Sequence, residues 1–136
     1  MSYKFSDRSK RHLATLRPEL QSLLEEAIKV RDFSLIAGHR PKEEQDHAFA
    51  TGRSKLKWPE SKHNTFPSEA FDAIPYPFTQ ADWEDRELWI GWSNWMVGFA
   101  AARGITLRSG YDWDRDFDHR DQRFMDGPHF EMVLPG

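Results

Sequence analysis

The stretch Ser61–Pro75 constrains this chain more than any other, because it places His63 and Asp72 on either side of a loop that contains proline and serine. Imidazole and carboxylate groups both bind zinc, and a further candidate ligand, His129, follows near the C-terminus. Two imidazoles and one carboxylate leave the fourth position of a tetrahedral zinc open for water, as in catalytic sites. Spacing alone does not assign these ligands, because six histidines and twenty-two carboxylates allow many such combinations.

The absence of cysteine excludes disulfide bonds and restricts any metal site to histidine, aspartate and glutamate ligands. A chain of 136 residues is predicted to form one domain, residues 1–136, and is long enough to bury a single core. Only 38% of the residues are apolar, but six are tryptophan and ten are phenylalanine. We therefore expect a core that is built from a few large side chains.

Charge and hydropathy argue against several partners. A net charge of −3 argues against nucleic-acid binding, which needs a basic face opposite the phosphates. The N-terminal segment from Lys4 to Arg17 is nonetheless basic, and it is either a solvated helix face or a surface that meets an anionic cell wall. No apolar run has the length of a signal-peptide core or of a membrane span, so neither is expected.

Apolar periodicity and capping residues predict three helical regions. They are residues 9–30, interrupted at Pro18, residues 41–52, and residues 83–103 with Asp82 as the N-cap. Strands are predicted at residues 33–37, 71–74, 105–108 and 130–134, with His129 at the start of the last.

Large apolar side chains recur on one face of the long helix at three- and four-residue steps. They are Leu88, Trp92, Trp95, Phe99 and Ala102, and Trp89 and Met96 widen the face. An aromatic stripe of this kind is either a platform for sugar rings or part of the hydrophobic core, and the helical spacing favours the core.

Three short sequences carry a family resemblance: SKH at 61–63, AFD at 70–72 leading to Pro75, and DGPHF at 126–130. In this order they resemble the zinc signature of peptidoglycan-cleaving peptidases related to D-alanyl-D-alanine carboxypeptidases. Within that group the chain is similar to the small phage endolysins that act as L-alanyl-D-glutamate peptidases. Residues 1–6 and 17–20 resemble the N-terminus of these endolysins, so the resemblance extends from end to end.

The resemblance implies that His63, Asp72 and His129 bind zinc. Asp72 follows His63 by nine positions, which is a longer step than in many members, where the loop usually contains a glycine. Some members carry the longer loop, and Glu69 is the only competing carboxylate in the segment. Asp72 is therefore kept as the ligand.

The same resemblance implies roles for three further residues. Asp126, three positions before His129, is expected to be the catalytic base that takes the proton from water. In the family, an arginine at the position of Arg40 faces the zinc cleft and steadies the substrate or the developing oxyanion. Without the resemblance, Arg40 would be interpreted as a capping or surface residue. Ser61 is expected to orient the substrate or a ligand.

The run Asp112–Asp118 alternates aspartate with other residues and is a candidate calcium loop, because calcium takes several oxygen ligands. It lacks the spacing, central glycine and terminal glutamate of an EF-hand, and Arg115 and Arg120 offer internal counterions. Some phage relatives have a regulatory calcium loop in this region. His119 is interpreted as a loop residue or as a residue that contacts a metal ligand without binding the metal.

The predicted fold is α+β, a small single domain with N-terminal helices, one long helix and a short, mostly antiparallel sheet that carries the zinc ligands. The predicted function is zinc-dependent cleavage of the L-alanyl-D-glutamate bond in peptidoglycan by a monomeric phage endolysin. Such a protein is expected in the host cytoplasm until lysis and then at the cell wall. Two alternatives remain open. One is a D-alanyl-D-alanine carboxypeptidase or dipeptidase, and the other is a non-catalytic, zinc-stabilised wall-binding module, against which Asp126 argues.

Overall fold

The computed structural model describes residues 3–116, 118 and 125–135 of the chain. Within these ranges the chain forms four α-helices and four strands. In order they are α1 (Asp7–Leu13), α2 (Pro18–Val30), β1 (Phe33–Ala37), α3 (Lys42–Ala50), β2 (Ala70–Pro75), α4 (Arg86–Ala101), β3 (Leu107–Ser109) and β4 (His129–Met132). Two short 3₁₀ helices, Lys62–Asn64 and Gln80–Glu84, precede β2 and α4. The predicted α+β fold is confirmed.

Pro18 separates the first two helices, as predicted. The hydroxyl of Ser6 caps α1 by accepting a hydrogen bond from Ser9 N at 3.1 Å, and α2 begins with Pro18. The apolar face of α2 is buried and comprises Leu20, Leu23, Leu24, Ala27 and Ile28. No helix in the described ranges is long and apolar enough to cross a membrane.

The four strands form one antiparallel sheet with the order β1-β2-β4-β3. β2 and β4 lie at its centre, and their register places Asp72 opposite His129. On the other side of β4, Arg108 lies opposite Glu131. Residues that lie opposite each other on antiparallel strands share a face of the sheet, so each pair is in contact range. β3 and β4 are displaced by one or two residues from the predicted ranges.

Successive side chains of a strand point to opposite faces of the sheet. In β4, Phe130 and Met132 belong to the hydrophobic core, whereas His129 and Glu131 lie on the opposite face. β2 alternates in the same way around Asp72. One face of the sheet therefore carries the core, and the other carries the candidate functional residues.

α4 packs on the core face, and Trp92 is its central contact. Its Nε1 donates a hydrogen bond to Ala73 O at 3.1 Å, and its ring centroid lies 5.5 Å from that of Phe33 and 6.2 Å from that of Phe130. The buried residues of α4 are Trp89, Trp92, Ser93, Met96 and Ala100. The interpretation of the aromatic residues as core is thus confirmed for this face of the helix.

At the edge of the predicted stripe, Trp95 and Phe99 are half-buried, pack against the core and stack on each other with ring centroids 5.1 Å apart. The prediction is wrong for Ala102, which is exposed. The guanidinium of Arg103 covers the Phe99 ring from the solvent side. Trp95 and Phe99 thus form the rim of the core, because the buried face of the helix is centred on Trp92.

α4 begins at Arg86, so the prediction of Asp82 as its N-cap is wrong. Asp82 instead accepts a hydrogen bond from Thr79 N at 2.7 Å and so caps the start of the preceding 3₁₀ helix. Asp85 caps α4, since its carboxylate accepts a hydrogen bond from Leu88 N at 3.1 Å. The sequence pattern does not distinguish two aspartates three positions apart that both precede helical residues.

Candidate active site

Three structural elements bring the predicted metal ligands together. His63 lies on the 3₁₀ helix Lys62–Asn64, Asp72 on β2 and His129 on β4. His63 Nε2 is 3.1 Å from Asp72 Oδ1 and 3.1 Å from His129 Nδ1, and the last two atoms are 3.2 Å apart. Both imidazoles are buried and Asp72 is half-buried. Two nitrogens and one oxygen therefore converge in one small volume.

Contacts on the far side of His63 fix its orientation. Ser61 caps the 3₁₀ helix, because its hydroxyl accepts a hydrogen bond from His63 N at 3.1 Å, and Asn64 Oδ1 accepts one from Ser61 N at 3.0 Å. His63 Nδ1 lies 2.8 Å from Gly38 O. A carbonyl oxygen only accepts hydrogen bonds, so Nδ1 carries the proton and the lone pair of Nε2 faces the other two ligands.

Glu131 fixes the second imidazole. Its Oε1 accepts a hydrogen bond from His129 Nε2 at 2.8 Å, its Oε2 accepts one from Arg108 Nη2 at 2.6 Å, and Lys62 Nζ lies 3.6 Å away. Burial alone would raise the pKa of Glu131, but the bonds and charges of His129 and Arg108 lower it to about 2. Glu131 is therefore an acceptor and His129 Nε2 carries a proton, so in the neutral ring the lone pair belongs to Nδ1, which faces the site.

Opposite charges govern the titration of the ligands. Burial would raise the pKa of Asp72, but the charges and hydrogen bonds of His63 and His129 hold this pKa well below its usual range. Burial would lower the pKa of His129, whereas its hydrogen bonds to Asp72 and Glu131 raise this pKa to about 9. Because a metal ligand must be a neutral imidazole, metal binding at this site releases a proton.

Backbone contacts place Asp126 beside the ligands. Its N–H donates to Gly110 O at 2.8 Å, and its carbonyl accepts a hydrogen bond from His129 N at 3.1 Å. A Cβ atom on Gly110 would lie 2.2 Å from Asp126 O, and one on Gly127 would lie 2.4 Å from the Trp89 ring. Only glycine permits these two close approaches, so both glycines determine where Asp126 lies.

The environment of Asp126 suits proton transfer. Burial and the negative charge of Asp72 raise the pKa of Asp126 to about 6, although His129, His63 and Arg40 partly offset this effect. A carboxyl group with a pKa close to neutrality can both take up and return a proton at physiological pH.

A buried glutamine holds Arg40. The Arg40 Nη1 donates to Gln45 Oε1 at 3.0 Å, and Asn64 Nδ2 donates to the same oxygen at 3.1 Å. Gln45 Nε2 in turn donates to Leu56 O at 2.6 Å and to Ser54 Oγ at 3.0 Å. Gln45 thus links Arg40 to the 3₁₀ helix that carries a ligand and to the loop that follows α3.

The predicted site residues other than Asp72 line one cleft of about 360 Å³. Arg40, Ser61 and Asp126 line it together with both imidazoles. Glu69, the competing carboxylate, lies elsewhere, and its Oε2 is 3.5 Å from Arg17 Nη1. The roles of these residues remain predictions, but the structure brings together all the residues to which the sequence analysis assigned a role at the site.

The sequence analysis assigned no supporting role to Glu131, Gln45 or Gly38. Glu131 was detectable from sequence, because the residue two positions after His129 in a strand lies on the same face of the sheet. Gln45 and the Gly38 carbonyl carry no such signal, since their contacts depend on how distant segments pack.

The predicted calcium loop brings Asp112, Asp114 and Asp116 together, with ligand oxygens within 4.8 Å of one another. Asp112 Oδ1 accepts a hydrogen bond from Asp116 N at 3.3 Å. Calcium binding remains a prediction. His119 and Arg120 lie outside the described residues.

Known proteins resemble this chain over nearly its whole length. A family model described as phage L-alanyl-D-glutamate peptidase matches residues 1–133. The L-alanyl-D-glutamate peptidase of Escherichia phage T5 is 35% identical over 139 residues, covering 98% of this chain and 100% of that protein.

Among solved structures, the Serratia marcescens L-Ala D-Glu endopeptidase ChiX is similar with a TM-score of 0.66. The similarity covers 96% of this chain and 90% of ChiX at 21% identity, so it shows a shared fold. The family match and the phage T5 relative both extend over nearly the whole sequence. This chain therefore belongs to the phage L-alanyl-D-glutamate peptidase family.

Proposed function

We propose that this chain is a zinc-dependent peptidase that hydrolyses the L-alanyl-D-glutamate bond in the stem peptide of peptidoglycan. The observation that carries the proposal is the convergence of His63 Nε2, His129 Nδ1 and Asp72 Oδ1 within 3.2 Å of one another. Family membership supports the choice of bond, because the phage T5 relative is an L-alanyl-D-glutamate peptidase.

The donor set fits zinc. Two imidazoles and one carboxylate are a ligand set of catalytic zinc sites, which keep a position for water or substrate. Gly38 and Glu131 bind the outer nitrogens of His63 and His129, so each ring in its neutral form directs its lone pair into the site. When bound, zinc supplies Lewis-acid chemistry, because it lowers the pKa of a water molecule to roughly 7 and polarises a carbonyl group.

Asp126 acts first as general base and then as general acid. Its carboxylate takes a proton from the attacking water and delivers it to the amine of the departing D-glutamyl fragment. In the metal-free protein, burial and the charge of Asp72 raise the pKa of this group to about 6, and a raised pKa favours uptake of the water proton. The backbone bonds to Gly110 and His129 keep the carboxylate beside the ligands during both transfers.

Arg40 stabilises negative charge on the substrate or on the oxyanion that develops during hydrolysis. Its guanidinium lines the cleft with both imidazoles, and the hydrogen bond to Gln45 holds the side chain in place. A guanidinium stays charged and offers several donors in one plane, which suits a carboxylate or an oxyanion. Ser61 orients His63 through its cap and contacts the substrate from the same cleft wall.

The proposed partner is peptidoglycan, and the proposed acting form is a single-domain monomer. From the endolysin resemblance, we propose that the protein stays in the host cytoplasm until lysis and then acts on the cell wall. Calcium binding by the Asp112–Asp118 loop is a further part of the proposal, supported by the three carboxylates that meet there.

The test is digestion of purified peptidoglycan by zinc-loaded protein, with and without a chelator, followed by mass spectrometry of the new termini. We expect new C-terminal L-alanine and new N-terminal D-glutamate, and neither in the presence of chelator. The matched control is the zinc-loaded Asp126→Asn variant. Release of D-alanine would instead indicate a carboxypeptidase or dipeptidase, and wall binding without new termini would indicate a binding module.

A further inference from the structure

Two clefts meet at the candidate metal ligands. The first, of about 360 Å³, includes His63 and His129 in its wall, and the second, of about 540 Å³, includes Asp72. We call the first the basic cleft, after Lys55, Lys62 and Arg108, and the second the histidine cleft, after His12, His39 and His47. A peptide whose scissile bond lies at the ligands can therefore extend into both clefts, one half in each.

The two clefts differ in charge. Among the described residues, five cationic side chains and three carboxylates line the basic cleft, whereas two cationic side chains and three carboxylates line the histidine cleft. Arg40 and Arg53 line both. Their side chains bond Gln45 and Thr51, so neither is committed to a carboxylate in the described part of the chain.

The two halves of the substrate also differ in charge. A glutamate has two carboxyl groups, and a peptide chain continues through only one of them. The D-glutamyl half therefore keeps at least one free carboxylate, whereas the side chain of alanine is a neutral methyl group. Lysine and arginine form charge-assisted hydrogen bonds with carboxylates, so charge favours placing the D-glutamyl half in the basic cleft.

Proton transfer gives an independent reason for the same direction. In the hydrolysis, the water oxygen bonds to the alanyl carbonyl carbon, the C–N bond breaks, and the proton taken up by Asp126 passes to the D-glutamate amine. That amine must lie within hydrogen-bond reach of the carboxyl group. Asp126 lines the basic cleft and does not line the histidine cleft. The D-glutamyl half therefore belongs on the basic side.

The geometry points to a fixed substrate direction, with the D-glutamyl half and its free carboxylate in the basic cleft and the L-alanyl half in the histidine cleft. This inference rests on the proposed peptidase function and adds the basis of its specificity. Lys55 is the cation to test, because it is exposed and lines only the basic cleft. Lys62 and Arg108 also contact Glu131, so changing either would disturb His129 as well.

The first experiment compares two soluble substrates, an N-acetyl-L-alanyl-D-glutamyl peptide and its counterpart in which the free carboxylate is a carboxamide. The zinc-loaded wild type is expected to cleave the acid with a kcat/KM about tenfold or more above that of the amide, as one charge-assisted hydrogen bond provides. Lys55→Gln should reduce this preference by about two- to fivefold, the range for an exposed ion pair. Glu43→Gln removes one charge from the histidine cleft and should leave the preference unchanged.

The possible outcomes distinguish failure of the proposed substrate direction from failure of the proposed peptidase function. Equal cleavage of acid and amide by the wild type would keep the peptidase and overturn the direction. A preference that responds to Glu43→Gln but not to Lys55→Gln would reverse the direction. Cleavage of neither substrate, with peptidoglycan also left intact, would remove the proposed function and this inference together.

Binding of the two product fragments gives a readout that does not depend on turnover. In ¹H–¹⁵N spectra of the zinc-loaded protein, the D-glutamyl peptide should shift the backbone amides of residues 54–56, in the wall of the basic cleft. N-acetyl-L-alanine should shift those of Gly38 and His39, in the wall of the histidine cleft. The opposite pattern would overturn the inference even if acid and amide are cleaved at different rates.

Discussion

Two groups of three side chains that could hold a metal ion occur in the described part of the chain, and in each the candidate ligand atoms lie within 4.8 Å of one another. They are the ligand group, His63, Asp72 and His129, and the aspartate group, Asp112, Asp114 and Asp116. The ligand group comes from a 3₁₀ helix and two neighbouring strands, and both imidazoles are buried. The aspartate group comes from one loop, and two of its three side chains are exposed.

The two groups also differ in how neighbouring charges affect their carboxylates. In the ligand group, neighbouring imidazoles lower the pKa of Asp72 in spite of its burial. In the aspartate group, loss of water contact and then the hydrogen bond and charge of Asp116 raise the pKa of Asp114. The ligand group is thus held by attraction and by outer contacts to Gly38 and Glu131, whereas like charges oppose one another in the aspartate group. We therefore expect strong metal binding only by the ligand group.

The largest expected effect tests the membership of the ligand group. His63→Ala or Asp72→Ala removes one of three protein ligands. Zinc affinity should therefore fall by more than about 100-fold, which exceeds the fall expected when only a residue that hydrogen-bonds a ligand is lost. Glu69→Ala, a matched loss of a nearby carboxylate, should leave zinc affinity unchanged. Competition with a chromophoric chelator and elemental analysis measure both. Full zinc occupancy in Asp72→Ala, or zinc loss in Glu69→Ala, would show that the longer loop presents a different ligand.

Much of the ligand group could be predicted from the sequence. The order SKH, AFD and DGPHF indicates the residues, and alternation within β2 and β4 accounts for Asp72 and His129 sharing a face of the sheet. The tautomer of His63 could not be predicted, because it depends on the carbonyl of Gly38, twenty-five positions away. The link from Arg40 through Gln45 to Asn64 could not be predicted either, because it depends on the packing of α3 against the ligand segment.

A second prediction concerns the base beside the ligand group. Asp126→Asn keeps the size of the side chain but cannot take a proton, so kcat should fall by roughly 10²–10⁴-fold with zinc content unchanged. The base works when deprotonated, so the wild-type rate should rise with pH through the pKa of Asp126. That pKa is raised to about 6 in the metal-free protein, and the charge of a bound zinc ion lowers it.

Rate–pH profiles of both proteins check this prediction. The acidic limb of the wild type should lie at or below about pH 6, and the variant should lack that limb. A fall in kcat of less than about tenfold would assign the base to another residue. Loss of zinc from Asp126→Asn would place Asp126 among the ligands themselves.

A third prediction concerns the loss of the hydrogen bond that holds His129 from outside the ligand group. Glu131→Ala removes the acceptor of His129 Nε2–H, so zinc affinity should fall by about 10–100-fold, the usual effect of losing such a partner. Glu131→Gln keeps an acceptor oxygen and should restore part of the affinity. The ¹⁵N shifts of the His129 ring report its tautomer directly. Equal zinc affinity in the wild type and Glu131→Ala would mean that burial alone orients His129.

The smallest expected effect concerns the aspartate group. A calcium ion would offset the repulsion among its carboxylates and stabilise the folded state by linkage, by about 1.4 kcal/mol at a calcium concentration tenfold above Kd. For a domain of this size that raises the Tm by roughly 3–6 °C. The Tm of chelator-stripped, zinc-restored protein measures the response. It should weaken as the pH falls, because the raised pKa of Asp114 lets protons compete for the site.

Two double variants decide whether the calcium response belongs to this loop. Asp114→Ala with Asp116→Ala should abolish the rise in Tm, since only Asp112 of the group remains. Glu25→Ala with Glu26→Ala removes the same charge from the exposed face of α2 and should keep the response. Because net charge changes equally in both, general electrostatic stabilisation by calcium predicts equal responses. A specific calcium site in the loop predicts that only the variant with Asp114→Ala and Asp116→Ala loses the response. Absence of any response in the wild type would leave the ligand group as the sole metal site of the described residues.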